Sequence, residues 1–413
     1  MESQNQQVSI SQHQQPSTTK GTTFLRTCFN AVNTLSGVGI LSVPYALSKG
    51  GWLCLLLLLS IALLCFYTGI LLRRCMDSDA RIKSYPDIGQ LAFGRKGRVI
   101  IMMFMYLELF LAAVEFLIME GNLLSKLFPK EDIHIFGKKI GGQKGFVLLT
   151  ALMVFPTTLL RNLGVLAYVS AFGVVSSVVL VLAVFWGGAF DGIGFHETGQ
   201  LWNWSGLPTS ISMFAFCYCG HTVFPTLYNS MKRKSQFPYV LIVCFTLSTI
   251  SYGTMAIIGY MMFGEHLTSQ VTLNLPTEKI TSQIAIYTTL VNPIAKYAII
   301  IAPIVTSVEE TLAFLESKVT SWVIRICLVI ATVVVALVVP YFGYVMAFIG
   351  AFLGISLSIL IPCLCYWKIL IGFKRFSPEL MMILVIMLIG TVVAILGTYS
   401  AVANIIINEV HHN

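Results

Sequence analysis

Charged residues are scarce in this sequence. Asp, Glu, Lys and Arg make up 11% of the 413 residues, whereas a soluble domain carries about 25%. Apolar residues make up 56% of the chain, and the mean hydropathy is +0.83. This composition excludes an ordinary soluble domain and indicates a membrane protein.

Motifs of several enzyme and pump classes are also absent. The chain has no H-E-x-x-H and no G-x-x-x-x-G-K-[ST], which argues against a zinc protease and an ATP-driven pump. The cysteine pairs at 217/219 and 363/365 lack the C-x-x-C spacing of zinc and redox sites. The seven histidines show no metal-ligand spacing. We therefore expect no enzymatic activity, no metal and no cofactor.

The apolar residues come in blocks of roughly twenty, the length that crosses about 30 Å of hydrocarbon. This pattern predicts an all-α polytopic membrane protein with eleven transmembrane helices. The predicted spans are 24–48, 52–72, 99–124, 145–160, 163–188, 206–230, 238–262, 282–312, 319–339, 342–366 and 379–402.

Lys and Arg are distributed unevenly over the loops between these spans. With the N-terminus in the cytosol, eighteen of the 26 Lys and Arg residues lie on the cytosolic side and seven on the outer side, while Lys296 lies within a span. Because cytosolic loops are enriched in Lys and Arg, we predict a cytosolic N-terminus and an outer C-terminus. The topology accounts for the net charge of +8, so no nucleic-acid partner is expected.

Little of the chain lies outside the transmembrane domain at 23–402. Residues 1–22 are polar and rich in Gln and Ser, and we expect a disordered cytosolic tail there. They lack the basic and apolar segments of a cleaved signal peptide. Residues 403–413 are expected to form an outer tail, which is lumenal or extracellular.

Glycine and proline interrupt the first span. The stretch "NTLSGVGILSVPYAL" contains Gly37, Gly39 and Pro44, residue types that loosen a helix. Within it, "GILSVP" (39–44) aligns with "GHTVFP" (220–225) in the sixth span, at an offset of 181 residues. A proline in a membrane helix is often only a packing kink. The matched pair favours two broken helices with a shared function.

The two interrupted spans run in opposite directions on the predicted topology, which is typical of an inverted repeat. We predict one five-helix repeat at about 24–188 and a second at about 206–366. Helices 1 and 6 are the broken members, and the eleventh helix at about 379–402 lies outside both repeats.

Unwound backbone at membrane depth is tolerated only where it is buried in protein or lines a wet cavity. The half-helix that begins near Gly39 and Ile40 would offer free N–H groups to a carboxylate. The half-helices that end near Ser36 and Tyr218 would offer free carbonyl groups to an ammonium. Two such anchors describe the binding of a zwitterionic amino acid.

Four stretches of the chain resemble the amino acid/auxin permease family, in particular its plant vacuolar amino-acid transporters. They are "FNAVNTLSGVGILSVPYALSKGGW" (29–52), "SYPDIGQLAFG" (84–94), "YLELFLAAVEFLIMEGNLL" (106–124) and "NPIAKYAIIIAPIVTSVEE" (292–310). The resemblance implies two inverted five-helix repeats with an eleventh helix. It also implies proton-linked transport of neutral amino acids by alternating access. We expect amino acids, protons and the lipid bilayer as partners, and a functional monomer.

The resemblance also implies site residues. The substrate-binding break of the first helix would be Ser36, Gly37, Val38, Gly39 and Ile40. The partner break would be Cys217, Tyr218, Cys219 and Gly220. Asn33 matches a position that helps to hold sodium in sodium-coupled relatives, and its role here stays open.

Charged side chains within the spans need partners or a function, because a charge near the bilayer centre costs a few kcal/mol or more. Glu108 and Glu115 lie seven residues apart on one face of the third span, and Lys296 lies near the middle of the eighth. His221 follows the second break directly. These residues either form a buried Glu–Lys pair that fixes packing or carry the driving proton. Glu115 is the first candidate for the proton, with His221, Lys296 and Glu108 as the others.

Other functions stay open at this point. An amino-acid-gated channel, a transport-like sensor, and a transporter of another small zwitterion or an auxin-like acid all fit a polytopic helical protein. The resemblance implies the vacuolar membrane, with the plasma membrane as the alternative.

Overall fold

A computed structural model describes residues 21–129, 133–135, 138–140, 142–159, 166–311, 318–372 and 377–412. The expected disordered tail lies outside these residues, apart from its last two positions. The first eight helices are α1 Phe24–Leu35, α2 Gly39–Gly50, α3 Cys54–Ser78, α4 Tyr85–Leu127, α5 Gly142–Thr158, α6 Leu166–Phe190, α7 Leu207–Cys217 and α8 Phe224–Ser230. The remaining six are α9 Phe237–Phe263, α10 Ile280–Thr311, α11 Lys318–Val338, α12 Phe342–Phe348, α13 Ile361–Tyr366 and α14 Pro378–His412.

The described helices establish a polytopic helical membrane protein. Seven of them, and the continuous helical segment Phe342–Ile371 that contains α12 and α13, are long and apolar enough to cross a membrane. The bent pair α1–α2 adds a ninth crossing if it counts as one span. Helix α5 has only 17 residues and α7 only 11, so neither reaches that length. The count of eleven crossings therefore stays a prediction.

Helix α4 is longer than the span that hydropathy predicts at 99–124. It begins with a capping box, in which Ser84 and Asp87 bond each other's backbone N–H groups. A break in helical geometry follows at Gly94, whose φ of 67° is a value that glycine adopts without strain. The polar residues between these points form a short helical entry, which an apolar pattern does not reveal.

Two further features differ from the sequence-based expectation. The loop after α4 contains a small antiparallel hairpin of β1, Ile133–Ile135, and β2, Lys138–Ile140, so the described part is not entirely helical. Helix α14 continues to His412, through most of the segment expected as a tail. Between α12 and Ile371 the chain stays helical, with π-type hydrogen bonds over 349–354, 356–360 and 367–371.

The two interrupted segments lie among the other helices. Helix α1 packs against α6 and α9, whereas α2 packs against α7 and α9. Helix α10 packs against α4 and α6. Helices α6, α7 and α9 therefore lie next to the two helices that flank the first interruption.

Candidate functional site

The first interruption lies where the glycine-rich stretch predicts it. Helix α1 ends at Leu35 and α2 begins at Gly39, with a bend of 48° between their axes. The N–H of Gly37 turns back to the Leu35 carbonyl at 2.6 Å. For the N–H groups of Val38, Gly39 and Ile40, no hydrogen-bond acceptor is found among the described residues. The positive end of α2 is therefore available to an anion.

The second interruption separates α7 from α8. Helix α7 ends at Cys217, and the chain turns through residues 218–223 before Phe224. Tyr218 is fully buried, and its hydroxyl lies 2.9 Å from Thr249 Oγ1 on α9. This hydroxyl is engaged by a neighbouring helix.

Glycines let the two interruptions touch. A Cβ atom placed on Gly39 would lie 2.8 Å from the Cys217 sulfur and 3.3 Å from the Cys217 Cα. A Cβ atom on Gly220 would lie 2.8 Å from the Leu35 side chain. At Gly37, by contrast, the one heavy atom within 4 Å is the Leu35 carbonyl oxygen at 3.8 Å. Gly39 and Gly220 thus serve close helix packing, and Gly37 faces open space.

At each of these helix ends one carbonyl group, that of Leu35 or of Cys217, is engaged by a side chain of α9. Tyr252 on α9 donates its hydroxyl to the Leu35 carbonyl. The same hydroxyl lies 3.1 Å from the Cys217 carbonyl oxygen. Sequence patterns show where a helix ends but not which distant side chain covers that end.

A small cavity opens beside the first interruption. Helices α2, α4, α6 and α10 and the chain before α2 line it. The lining residues are Gly37, Val38, Ile40, Leu41, Phe116, Met119, Ser176, Ser177, Leu180, Thr288, Thr289, Asn292, Pro293 and Lys296.

The cavity brings together only some of the residues that the sequence singles out. Gly37, Val38, Ile40 and Lys296 line it, whereas Ser36, Gly39 and the four residues of the second interruption do not. The cavity walls formed by α4, α6 and α10 are not indicated by the sequence. The polar pair Ser176–Ser177 within an otherwise apolar span is the signal that could have indicated the α6 wall.

Two polar atoms in the cavity wall have no partner. Ser176 Oγ and Asn292 Oδ1 are buried, and neither makes a hydrogen bond within the described part of the chain. Phe116, Met119 and Leu180 supply an apolar wall. Since a buried polar group without a partner costs about 1–3 kcal/mol, these two atoms are suited to a ligand with complementary groups.

Lys296 joins the cavity to α1. Its ammonium lies 3.4 Å from the Asn33 carbonyl oxygen. Gly173 on α6 makes room for this contact, since a Cβ atom there would collide with the Asn33 side-chain oxygen and lie 3.4 Å from Lys296 Nζ. No ion pair of Lys296 with a described carboxylate is present. The structure therefore does not support the buried Glu–Lys pair as a packing element.

The carboxyl groups of α4 face the second interruption. Glu115 is fully buried, and neither of its oxygens has a hydrogen-bond partner among the described residues. It lies within electrostatic reach of the Cys217 thiol. Glu108 interacts with the Thr222 side chain. Neither glutamate lines the cavity.

His221 points to α3 and away from the cavity. Its Nε2 atom lies 3.0 Å from both the Cys65 carbonyl oxygen and Thr68 Oγ1. Because a carbonyl can only accept, the hydrogen is assigned to Nε2. The geometry is that of a hydrogen bond between the second interruption and a neighbouring helix. No group of metal-binding side chains is found in the described ranges.

Comparison with known proteins decides the family. The profile of the family described as "Transmembrane amino acid transporter protein" matches residues 20–403. The chain belongs to this family. The resemblance to amino acid/auxin permeases is thereby confirmed, and the chain is an integral membrane protein of an amino acid transporter family.

Members of this family match over most of their length. The chain is 48% identical to amino acid transporter AVT1I of Arabidopsis thaliana, over 98% of this chain and 99% of that protein. It is 47% identical to amino acid transporter AVT1J of the same plant, over 93% and 92%. It is also 24% identical to the vesicular GABA transporter of Caenorhabditis elegans, over 91% and 78%. The chain is thus similar to transporters from a plant and from an animal.

Proposed function

We propose that this protein moves neutral amino acids across a membrane by proton-coupled alternating access. The observation that carries the proposal is the cavity beside the first interruption. There a helix N-terminus, an ammonium and two polar atoms without partners meet an apolar wall. Membership of an amino acid transporter family supports the substrate class.

The cavity suits a zwitterion. The free N–H groups at the start of α2 and the Lys296 ammonium favour a carboxylate. Asn292 Oδ1 can accept hydrogen bonds from a substrate ammonium, and Ser176 can add a further bond. Among the described lining residues none is acidic, so nothing there offers an ion pair to a cationic side chain. A neutral side chain would pack against Phe116 and Leu180.

Lys296 is our first candidate for the coupling proton, ahead of Glu115. Of the four candidates, Lys296 alone lines the cavity, and it also contacts α1 through Asn33. Loss of its proton would remove a positive charge beside the substrate carboxylate, so substrate affinity would depend on the proton. A ligand can shift a conformational equilibrium only by its differential affinity for the two states. Lys296 would meet that requirement by binding its proton more tightly in the conformation that holds substrate.

We further propose eleven crossings in two inverted repeats. The short helices α5 and α7–α8 supply the two crossings beyond the nine that length and composition support. Two interrupted helices that run in opposite directions, as the sequence predicts, would suit alternating access. The proposed location is the vacuolar membrane, because the sequence resembles plant vacuolar amino-acid transporters. The proposed orientation has a cytosolic N-terminus, because the distribution of Lys and Arg over the loops favours it.

Uptake by purified protein in liposomes tests the proposal. A pH gradient should drive accumulation of radiolabelled neutral amino acids, and a protonophore should abolish it. Lys296→Met should lose the dependence on the gradient. Lys279→Met, at an exposed position in an outer loop, is the matched control and should behave as wild type. Equal gradient-driven uptake by both variants would exclude Lys296, and no gradient-driven uptake by wild type would exclude proton coupling.

A further inference from the structure

A single hydroxyl group lies between the ends of the two half-helices. Tyr252 belongs to α9, and its side chain is fully buried. Its hydroxyl donates to the carbonyl of Leu35, the last residue of α1. It also lies 3.1 Å from the carbonyl oxygen of Cys217, the last residue of α7. The carbonyl groups that precede the two interruptions therefore contact the same side chain.

Donors to these two carbonyls are few. The Leu35 carbonyl also accepts the Gly37 N–H, at 2.6 Å. For the Cys217 carbonyl, Tyr252 is the one donor found in the described part of the chain. Inside a membrane protein no bulk water replaces a lost donor, and an unsatisfied backbone group is costly. The hydroxyl is thus a stabilising contact for both helix ends.

The Tyr252 ring is held in place by its neighbours. It meets the Tyr218 ring edge to face, with 5.6 Å between the ring centroids. Helix α9 runs without interruption from Phe237 to Phe263 and packs against both α1 and α2. Tyr252 therefore presents its hydroxyl from an unbroken helix to two broken ones.

We propose that Tyr252 is a positioning residue that holds the ends of α1 and α7 together, so that the two half-helices change position jointly during transport. The one hydroxyl hydrogen is shared between the two carbonyl oxygens in a three-centre hydrogen bond. If either half-helix moves away alone, its carbonyl loses the contact, which penalises separate movement. The part of this inference that concerns transport rests on the proposed function, whereas the tether itself does not.

Tyr252→Phe removes the hydroxyl and keeps the ring, and Tyr85→Phe is the matched control. Tyr85 is also buried, and its hydroxyl donates to a backbone carbonyl, that of Leu357, at 2.6 Å. Hydrogen exchange of the purified proteins, read by mass spectrometry, tests the tether without any transport. Tyr252→Phe should speed exchange in peptides that cover 36–41 and 218–224, and Tyr85→Phe should leave both peptides unchanged. Unchanged exchange in either peptide of Tyr252→Phe would overturn the inference.

Transport kinetics in liposomes test the joint movement. Tyr252→Phe should lower the maximal uptake rate about tenfold and change KM less than threefold, because the hydroxyl does not line the cavity. If Tyr252→Phe keeps the wild-type maximal rate, the inference of joint movement is wrong. It is also wrong if the rate falls only in proportion to the amount of folded protein. If wild type itself shows no uptake, the proposed function fails, and hydrogen exchange still decides the tether.

Discussion

Gly37 borders open space, whereas Gly39 is closely packed. Alanine should therefore weaken substrate binding at position 37 and lower stability at position 39. A Cβ atom on Gly37 meets one atom, the Leu35 carbonyl oxygen, at 3.8 Å, which is an ordinary contact. It would therefore leave the fold intact and enter the cavity. At Gly39 the same atom would lie 2.8 Å from the Cys217 sulfur, so the contact between the two interruptions must shift.

The expected magnitudes follow from the cost of overpacking, about 1–3 kcal/mol for an extra methyl group in a filled site. In Gly37→Ala the added methyl group weakens substrate binding by this amount. KM should therefore rise about 5- to 150-fold, and thermal stability should not change. In Gly39→Ala the cost falls on the folded protein, and the midpoint of thermal unfolding should drop. Gly37→Val should abolish uptake by a correctly folded protein.

Fluorescence-monitored unfolding in detergent and uptake kinetics in liposomes separate the two effects. Cys217→Ala removes the sulfur that Gly39→Ala would strike, so the double variant should recover part of the lost stability. A normal KM for Gly37→Ala would show that the first interruption does not meet the substrate. Lower stability of Gly37→Ala would show that the open space is needed for folding.

Three further substitutions separate function from structure. Glu115→Gln should retain gradient-driven uptake if Lys296 carries the proton, and flux measured against an imposed pH gradient checks this. His221→Ala should lower the thermal unfolding midpoint, because a hydrogen bond to α3 worth about 0.5–1.5 kcal/mol is lost, while the pH dependence of uptake stays unchanged. Lys126→Met should speed hydrogen exchange over 271–275, because the Lys126 ammonium donates to three carbonyl groups of that loop.

The sequence predicts the helices well because crossing a membrane requires about twenty apolar residues in a row. The predicted span at 238–262 becomes α9 at Phe237–Phe263, and the one at 319–339 becomes α11 at Lys318–Val338. The interruption near Gly37 is equally local, since it depends on residue types within a few positions. Hydropathy does not predict polar helix ends such as the start of α4, because such ends lie outside the hydrocarbon and need no apolar residues.

The cavity walls could not be predicted in the same way. Which face of α6 or α10 lines the cavity depends on how each helix is rotated, and the sequence of a helix surrounded by lipid and protein does not show that rotation. The packing of the helices, and no local sequence pattern, therefore places Ser176 and Asn292 in the cavity wall. Tyr252 lies 217 residues from Leu35 along the chain, and no local pattern links the two.

The two interruptions look alike in sequence, but they meet different surroundings in the fold. The first has open space at Gly37, and the N–H groups at the start of α2 have no acceptor in the described part of the chain. The second is held on several sides: Tyr218 bonds α9, His221 bonds α3, and Glu108 of α4 meets Thr222. A segment with this many partners cannot easily yield its backbone to a ligand. Substitutions there should alter stability and rate, whereas Gly37→Ala at the first interruption should alter substrate affinity.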